Sequence, residues 1–174
     1  MNIILIGYRG TGKTTVARHL AEHFGWPAID ADDSIETLAK KSIKEIFAED
    51  GEQVFRDYES QVVADLCARQ GQILAMGGGA ILRERNRDTM RDSGAVVWLT
   101  ADPATLLSRI AEDPITTARR PNLTACGGLE EIQTLLTARQ PAYKATSHQE
   151  VDTTDKTPKE IAQLIAEIVT PDCK

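Results

Sequence analysis

Near the N-terminus, Gly7-Tyr8-Arg9-Gly10-Thr11-Gly12-Lys13-Thr14 matches the pattern G-x-x-x-x-G-K-[ST] in full. Glycines in such a run let successive backbone N–H groups turn inward and form a nest for phosphate oxygens. A helix that starts there adds the positive end of its dipole. Lys13 can bridge the outer phosphates of a nucleoside triphosphate, and the Thr14 hydroxyl can serve Mg²⁺. The context agrees: the apolar run Ile3-Ile4-Leu5-Ile6 precedes the loop and an amphipathic stretch follows it. A dinucleotide loop would need G-x-G-x-x-G and an acid about 20 residues on. A regulatory GTPase would carry D-x-x-G and N-K-x-D, and neither occurs.

Other residues could complete a phosphotransfer site. Asp30 and Asp32 follow a short apolar run, and ligands of parallel sheets bind at the carboxyl ends of strands. An acid there can hold a metal through water or accept a proton from an attacking hydroxyl; either acid could equally be a turn or capping residue. Gly77-Gly78-Gly79 is costly in conformational entropy unless the backbone must approach a ligand. Arg56 lies off the apolar stripe of its helix, and Arg139 sits near the end of another, where a cation complements the dipole with no ligand present. Arg119 and Arg120 fall in an aperiodic stretch and suggest a lid that brings a cation to phosphate. His19 and His23 have metal-ligand spacing, but no third ligand is near in sequence, so a solvated helix face is expected.

The elements that must position these residues follow from the pattern of apolar runs. Short runs alternate with amphipathic stretches, the signature of βαβ units on a parallel sheet. Strands are expected at Asn2 to Ile6, Pro27 to Ile29, Ile73 to Met76, Ala95 to Leu99 and Glu150 to Thr153. The first helix runs from the loop to about Phe24. Asp33 with Glu36, and Ser42 with Glu45, read as capping boxes, the second helix stopping near Asp50-Gly51. A long helix spans Glu52 to Arg69. Asp102-Pro103 starts another, and one more ends near Gln140. Glu112 to Gly128 reads as a long loop of the kind that forms lids. Thr157-Pro158-Lys159-Glu160 opens the last helix with a capping box and a proline.

The 174 residues suit one domain, with a net charge of -6 that argues against a nucleic-acid surface. The three cysteines, Cys67, Cys126 and Cys173, are odd in number and widely spaced, which points to a reducing compartment without a disulfide framework. No apolar run approaches the roughly 18 residues of a membrane span, and no signal-peptide pattern opens the chain. A cytoplasmic protein with no membrane partner is expected.

With these residues in place, the chain resembles the shikimate kinase family over nearly its whole length. The specific part is an ordered set: Asp30-Ala31-Asp32, then Phe47-Ala48-Glu49-Asp50-Gly51-Glu52-Gln53-Val54-Phe55-Arg56, Gly77-Gly78-Gly79, Arg120-Pro121 and Arg139-Gln140-Pro141-Ala142-Tyr143. The resemblance implies a single α/β P-loop domain, its five-stranded parallel sheet in order 2-3-1-4-5 flanked by helices. It implies a lid at about 112–128 and an acceptor-binding segment at about 32–60. It also implies transfer of the γ-phosphoryl of ATP to the 3-hydroxyl of shikimate with Mg²⁺, on the route to chorismate and aromatic amino acids.

Carried over by position, Gly10, Thr11, Gly12, Lys13, Thr14 and Thr15 would bind ATP, with Thr14 and Asp30 toward the metal. Asp32 would bind the acceptor hydroxyls and orient or deprotonate the nucleophile. Arg56 and Arg139 would grip the carboxylate, with Gly78 and Gly79 lining the acceptor site. Arg120 would close over the phosphates and act in catalysis beside Lys13 and Asp32. Arg109 matches a position that stacks on adenine, and Lys156 stands where the family often has arginine. No protein partner is implied, which suggests a monomer. Two alternatives stay open at this point: another small-molecule kinase of the same fold, such as a gluconate kinase, and a nucleotide-binding regulator without catalysis.

Overall fold

The computed structural model describes residues 1–113 and 128–170. Five parallel strands form one sheet: β1 (Asn2–Gly7), β2 (Ala28–Asp30), β3 (Ile73–Ala75), β4 (Gly94–Thr100) and β5 (Gln149–Asp152). Their order is β2-β3-β1-β4-β5. All six residues of β1 are buried, as a central strand covered on both faces requires. Alternation sorts the side chains. Ile4, Ile6, Leu74, Met76, Val96 and Trp98 face one core; Ile3, Leu5, Ile73, Ala75, Val97 and Leu99 face the other.

The second core is closed by α1 (Lys13–Phe24) and the last helix, α8 (Pro158–Val169), through Val16, Leu20, Ile161 and Ile165. The first core is closed by α2 (Ala31–Ala39), α3 (Ile43–Glu45), α4 (Gly51–Cys67) and α5 (Glu84–Ser93), together with Tyr143 of α7 (Gly128–Thr146). Tyr143 stacks on Trp98 with centroids 5.3 Å apart. Between β4 and α7 lies α6 (Pro103–Glu112), capped by Asp102, whose side chain accepts from the N–H groups of Ala104 and Thr105. Both capping boxes at Ser42/Glu45 and Thr157/Glu160 form.

Several expectations are corrected. The cap of α2 is Asp30, not Asp33: its carboxylate accepts from the Asp32 N–H, so the helix starts at Ala31 and Asp33 falls in the first turn. From the residue that precedes the helix, a short carboxylate reaches a first-turn N–H that has no partner within the helix. The run from α3 does end at Asp50-Gly51 as expected, Gly51 having φ 86°, but its last part, Ile46–Asp50, is a π-helical turn, and α4 begins directly at Gly51. Helix α7 continues past Gln140 to Thr146 with Pro141 inside it. Its far turns are held by Tyr143 in the core, and tertiary packing outweighs the local penalty of proline.

Helix α5 has no counterpart among the expected elements. Its residues are almost all polar, so no apolar period marks it; only Asn86 and Met90 are buried, and Asn86 donates to the Ala80 carbonyl at 3.0 Å. Residues 114–127, which hold most of the expected lid with Arg119 and Arg120, lie outside the described residues. Cys126 and Cys173 do too, while Cys67 is buried and unbonded. Among the described residues no helix is long and apolar enough to cross a membrane.

Candidate active site

A cleft of about 550 Å³ opens at the carboxyl ends of the central strands, where the strand order switches direction around β1. One wall is the phosphate loop. Gly7 closes β1 with φ 147°, and a Cβ there would lie 2.4 Å from the Leu99 carbonyl oxygen, so neighbouring backbone forbids any side chain. Gly12 caps α1 in the left-handed region (φ 85°) with no side-chain cap, and no acid stands in the first turn. The orphan N–H groups of that turn therefore face the cleft as a ready anion site.

Within the loop, the buried Thr11 hydroxyl donates to the Tyr8 carbonyl at 2.8 Å. The Lys13 ammonium donates to the carbonyls of Gly7 and Tyr8, both at 2.8 Å, so the cation is folded back onto its own loop. Arg9, also on the cleft wall, reaches across to α7 and pairs with Glu131 at 3.0 Å, 122 positions away. Glu131 is 2% exposed, and nothing local in sequence marks it as a partner of the loop. Arg18 and Asp113 also line the cleft without having been singled out from sequence.

The floor comes from β2. The Thr14 hydroxyl donates to Asp30 at 2.7 Å, and the other Asp30 oxygen caps α2. Burial raises the Asp30 carboxyl above its ordinary range, Thr14 pulling it back in part and the Asp32 charge adding to the rise. A carboxylate in that position favours a nearby cation. Hydroxyl and carboxylate oxygens are hard donors that suit Mg²⁺, which normally takes its remaining ligands from phosphate and water. Among the described residues no cluster of three or more His, Cys, Asp or Glu that could hold a metal ion occurs. Asp32, on the first turn of α2, lines the same cleft.

The far wall is the segment after β3. Gly77 and Gly78 line the cleft. The Gly78 carbonyl accepts from Tyr143 Oη at 2.8 Å and from the Arg139 guanidinium at 3.3 Å. A Cβ on Gly78 would sit 3.3 Å from the Gly7 carbonyl oxygen, so the glycine segment abuts the phosphate loop itself. Next to it, a Cβ on Gly79 would lie 2.2 Å from an Arg56 guanidinium nitrogen, leaving no room for one. Arg56 and Arg139, remote in sequence, thus touch adjacent glycines. Neither lines the cleft directly as the chain stands, nor does Gly79.

Two local readings of these arginines give way to tertiary surroundings. Although it lies off the apolar stripe of its helix, Arg56 is 8% exposed, and its fork pairs with Glu59 at 2.8 Å and Glu52 at 3.0 Å. Burial works against its charge, but Glu59 and then Glu52 more than offset this, and the guanidinium is held above its ordinary range. Arg139 is not at a helix end, because α7 runs on to Thr146.

On the opposite side, Arg109 lines the cleft and is tied to the loop after β5, donating to Thr153 Oγ1 at 3.0 Å and to the carbonyls of Thr153 and Thr154 at 2.7 and 3.2 Å. Lys156, on the same loop, is exposed and does not line the cleft. His19 and His23 are on the outer side of α1, His19 beside Glu22 at 3.5 Å and His23 edge-on to Phe24.

The comparisons with known proteins agree with one another. Residues 9–170 match the family model described as shikimate kinase. The shikimate kinase of Rhodopirellula baltica is 43% identical over 160 residues, covering 92% of this chain and 86% of that protein. The shikimate kinase of Symbiobacterium thermophilum is 40% identical over 169 residues, covering 97% and 94%. Among solved structures, a shikimate kinase from Acinetobacter baumannii in complex with shikimate superposes with a TM-score of 0.90 at 36% identity, over 97% of this chain and 92% of that one. On this footing the chain belongs to the shikimate kinase family of enzymes.

Proposed function

We propose that the chain carries out the family's reaction, transfer of the γ-phosphoryl group of ATP to the 3-hydroxyl of shikimate, with the work divided between the two walls of the cleft. The observation that carries this reading is the position of Gly78 and Gly79. They touch the phosphate loop on one side and two arginines on the other. A small anionic polyol held there would have its carboxylate toward cations and its hydroxyls toward Asp32.

The loop N–H groups and the α1 terminus, with Gly10, Thr11, Gly12, Thr14 and Thr15, would hold the ATP phosphates. Lys13 would leave the carbonyls of Gly7 and Tyr8 for the β- and γ-phosphates. Both carbonyls belong to the phosphate loop itself, which supports this reading. Thr14 and Asp30 would hold Mg²⁺, directly and through water, and the ion would neutralise charge on the phosphate oxygens. Asp32 would align the 3-hydroxyl and take its proton as the oxygen–phosphorus bond forms and the bond to the ADP oxygen breaks. Arg109, its fork anchored on Thr153 and Thr154, would present its face to adenine, with Lys156 on the same loop. Arg120, outside the described residues, would meet the transferring phosphoryl from the lid. A monomer is proposed with this reading, and the cysteine usage suits the cytoplasm.

The test is on the carboxylate grip. Removing one partner of a desolvated charge pair costs about 2–5 kcal/mol. Arg56→Ala and Arg139→Ala should each lower kcat/KM for shikimate by that amount while ATP binding stays near parental. An analogue lacking the carboxylate should be a poor acceptor for the parent and lose little further in either variant. Parental shikimate kinetics in both variants, or efficient phosphorylation of gluconate with none of shikimate, would sink the reading.

A further inference from the structure

Arg83 follows the glycine segment and a short 3-10 turn, Ala80–Leu82, and precedes α5. Its guanidinium reaches across to α4. Nη1 donates to the backbone carbonyl of Arg56 at 2.9 Å and to Ser60 Oγ at 3.0 Å, and Nη2 donates to Asp57 at 2.7 Å. The Ser60 hydroxyl donates in turn to the same Arg56 carbonyl at 3.0 Å. A planar guanidinium that engages three acceptors fixes both distance and angle between the elements it joins. The two elements are those that bear Arg56 and Gly78–Gly79.

The spacing it fixes is close. A methyl on Gly79 would lie 2.2 Å from an Arg56 guanidinium nitrogen and would have to push the fork aside. The far end of the Arg56 side chain is held within its own helix by Glu52 and Glu59, at one-turn spacing. Those pairs orient the fork relative to α4 but do not set where α4 stands relative to the glycines. Among the described residues, Arg83 is the charged side chain that hydrogen-bonds from the glycine segment's exit to the Arg56 main chain.

We infer that Arg83 is a positioning residue for the acceptor: a strap that sets the approach of Arg56 to Gly78–Gly79 and so the width of the carboxylate grip. It touches neither substrate and acts through Arg56. The inference rests on the reading that Arg56 holds the shikimate carboxylate.

The experiment is steady-state kinetics on the full chain, with both substrates varied, for Arg83→Met, Arg83→Lys, Asp57→Ala, Arg56→Met and the Arg56→Met/Arg83→Met pair. Arg83→Met should raise the KM for shikimate about tenfold, the value of a lost charge-assisted contact, and leave kcat and the KM for ATP within about twofold. Arg83→Lys should recover part of the loss. Asp57→Ala, which removes one exposed acceptor of the strap, should raise the shikimate KM about threefold at most. In the Arg56→Met background, Arg83→Met should add nothing. A lower melting temperature with unchanged shikimate KM would overturn the inference, as would a parallel rise in the KM for ATP or full additivity in the double variant. If Arg56→Met itself keeps the parental shikimate KM, the underlying reading falls and the strap with it. If Arg56→Met loses shikimate and Arg83→Met does not, only the strap falls.

Discussion

The phosphate loop draws its donors from eight consecutive residues, while the proposed acceptor side gathers Asp32, Arg56, Gly78 and Arg139 from four separate places in the chain. The loop is shaped by backbone: glycines with positive φ, an uncapped helix end and one lysine that hydrogen-bonds to its own carbonyls. The acceptor side is shaped by long side chains that reach across elements, from Arg139 to Gly78, from Tyr143 to Gly78 and from Arg83 to Arg56. The first kind of site is fixed by local geometry and tolerates little change within it. The second depends on how helices α4 and α7 are docked against the glycine segment. Substitutions far from the substrate can therefore act on it.

The largest effect should come from the loop. Lys13→Met should leave the fold intact and lower kcat by about 10²–10³, since the ammonium is proposed to stabilise charge that grows in the transition state. Kinetics and circular dichroism together check this. Near-parental turnover in a folded Lys13→Met protein would remove the contrast between a loop that does chemistry and a grip that binds.

A smaller and more selective effect is expected at Gly79. Gly79→Ala must displace Arg56, and overpacking of this kind costs about 1–3 kcal/mol. The shift should appear chiefly as weaker shikimate binding, measured by calorimetry, with ADP binding unchanged. If ADP affinity falls as much as shikimate affinity, the two walls are not separable.

The smallest effect belongs to the boundary between the regions. Asp30→Asn keeps an oxygen for the α2 cap but loses the charge near Thr14. The Mg²⁺ concentration for half-maximal turnover should rise about tenfold, with the shikimate KM unchanged. An unaltered Mg²⁺ requirement would reduce Asp30 to a helix cap.

The sequence by itself determined what local chemistry encodes. The phosphate loop, the strands of the sheet, the capping boxes at Ser42 and Thr157 and the Asp102-Pro103 start were all legible, because each rests on residues within a turn or two of one another. It also contained the proposed acceptor residues as an ordered set, but not the contacts that bring Arg56 and Arg139 against adjacent glycines. Only the tertiary structure buried Arg56 with its one-turn neighbour Glu59, carried α7 past Pro141 and bonded Arg9 to the distant Glu131. The cap of α2 moved from Asp33 to Asp30 for the same reason, since the docking of β2 against β3 decides where the strand hands over to the helix. Helix α5 was illegible because polar residues carry no period, and its order comes from Asn86 and Met90 meeting the rest of the core. Long-range partners of this kind are chosen by packing, and packing energy depends on surfaces that exist only once the sheet and its helices have assembled.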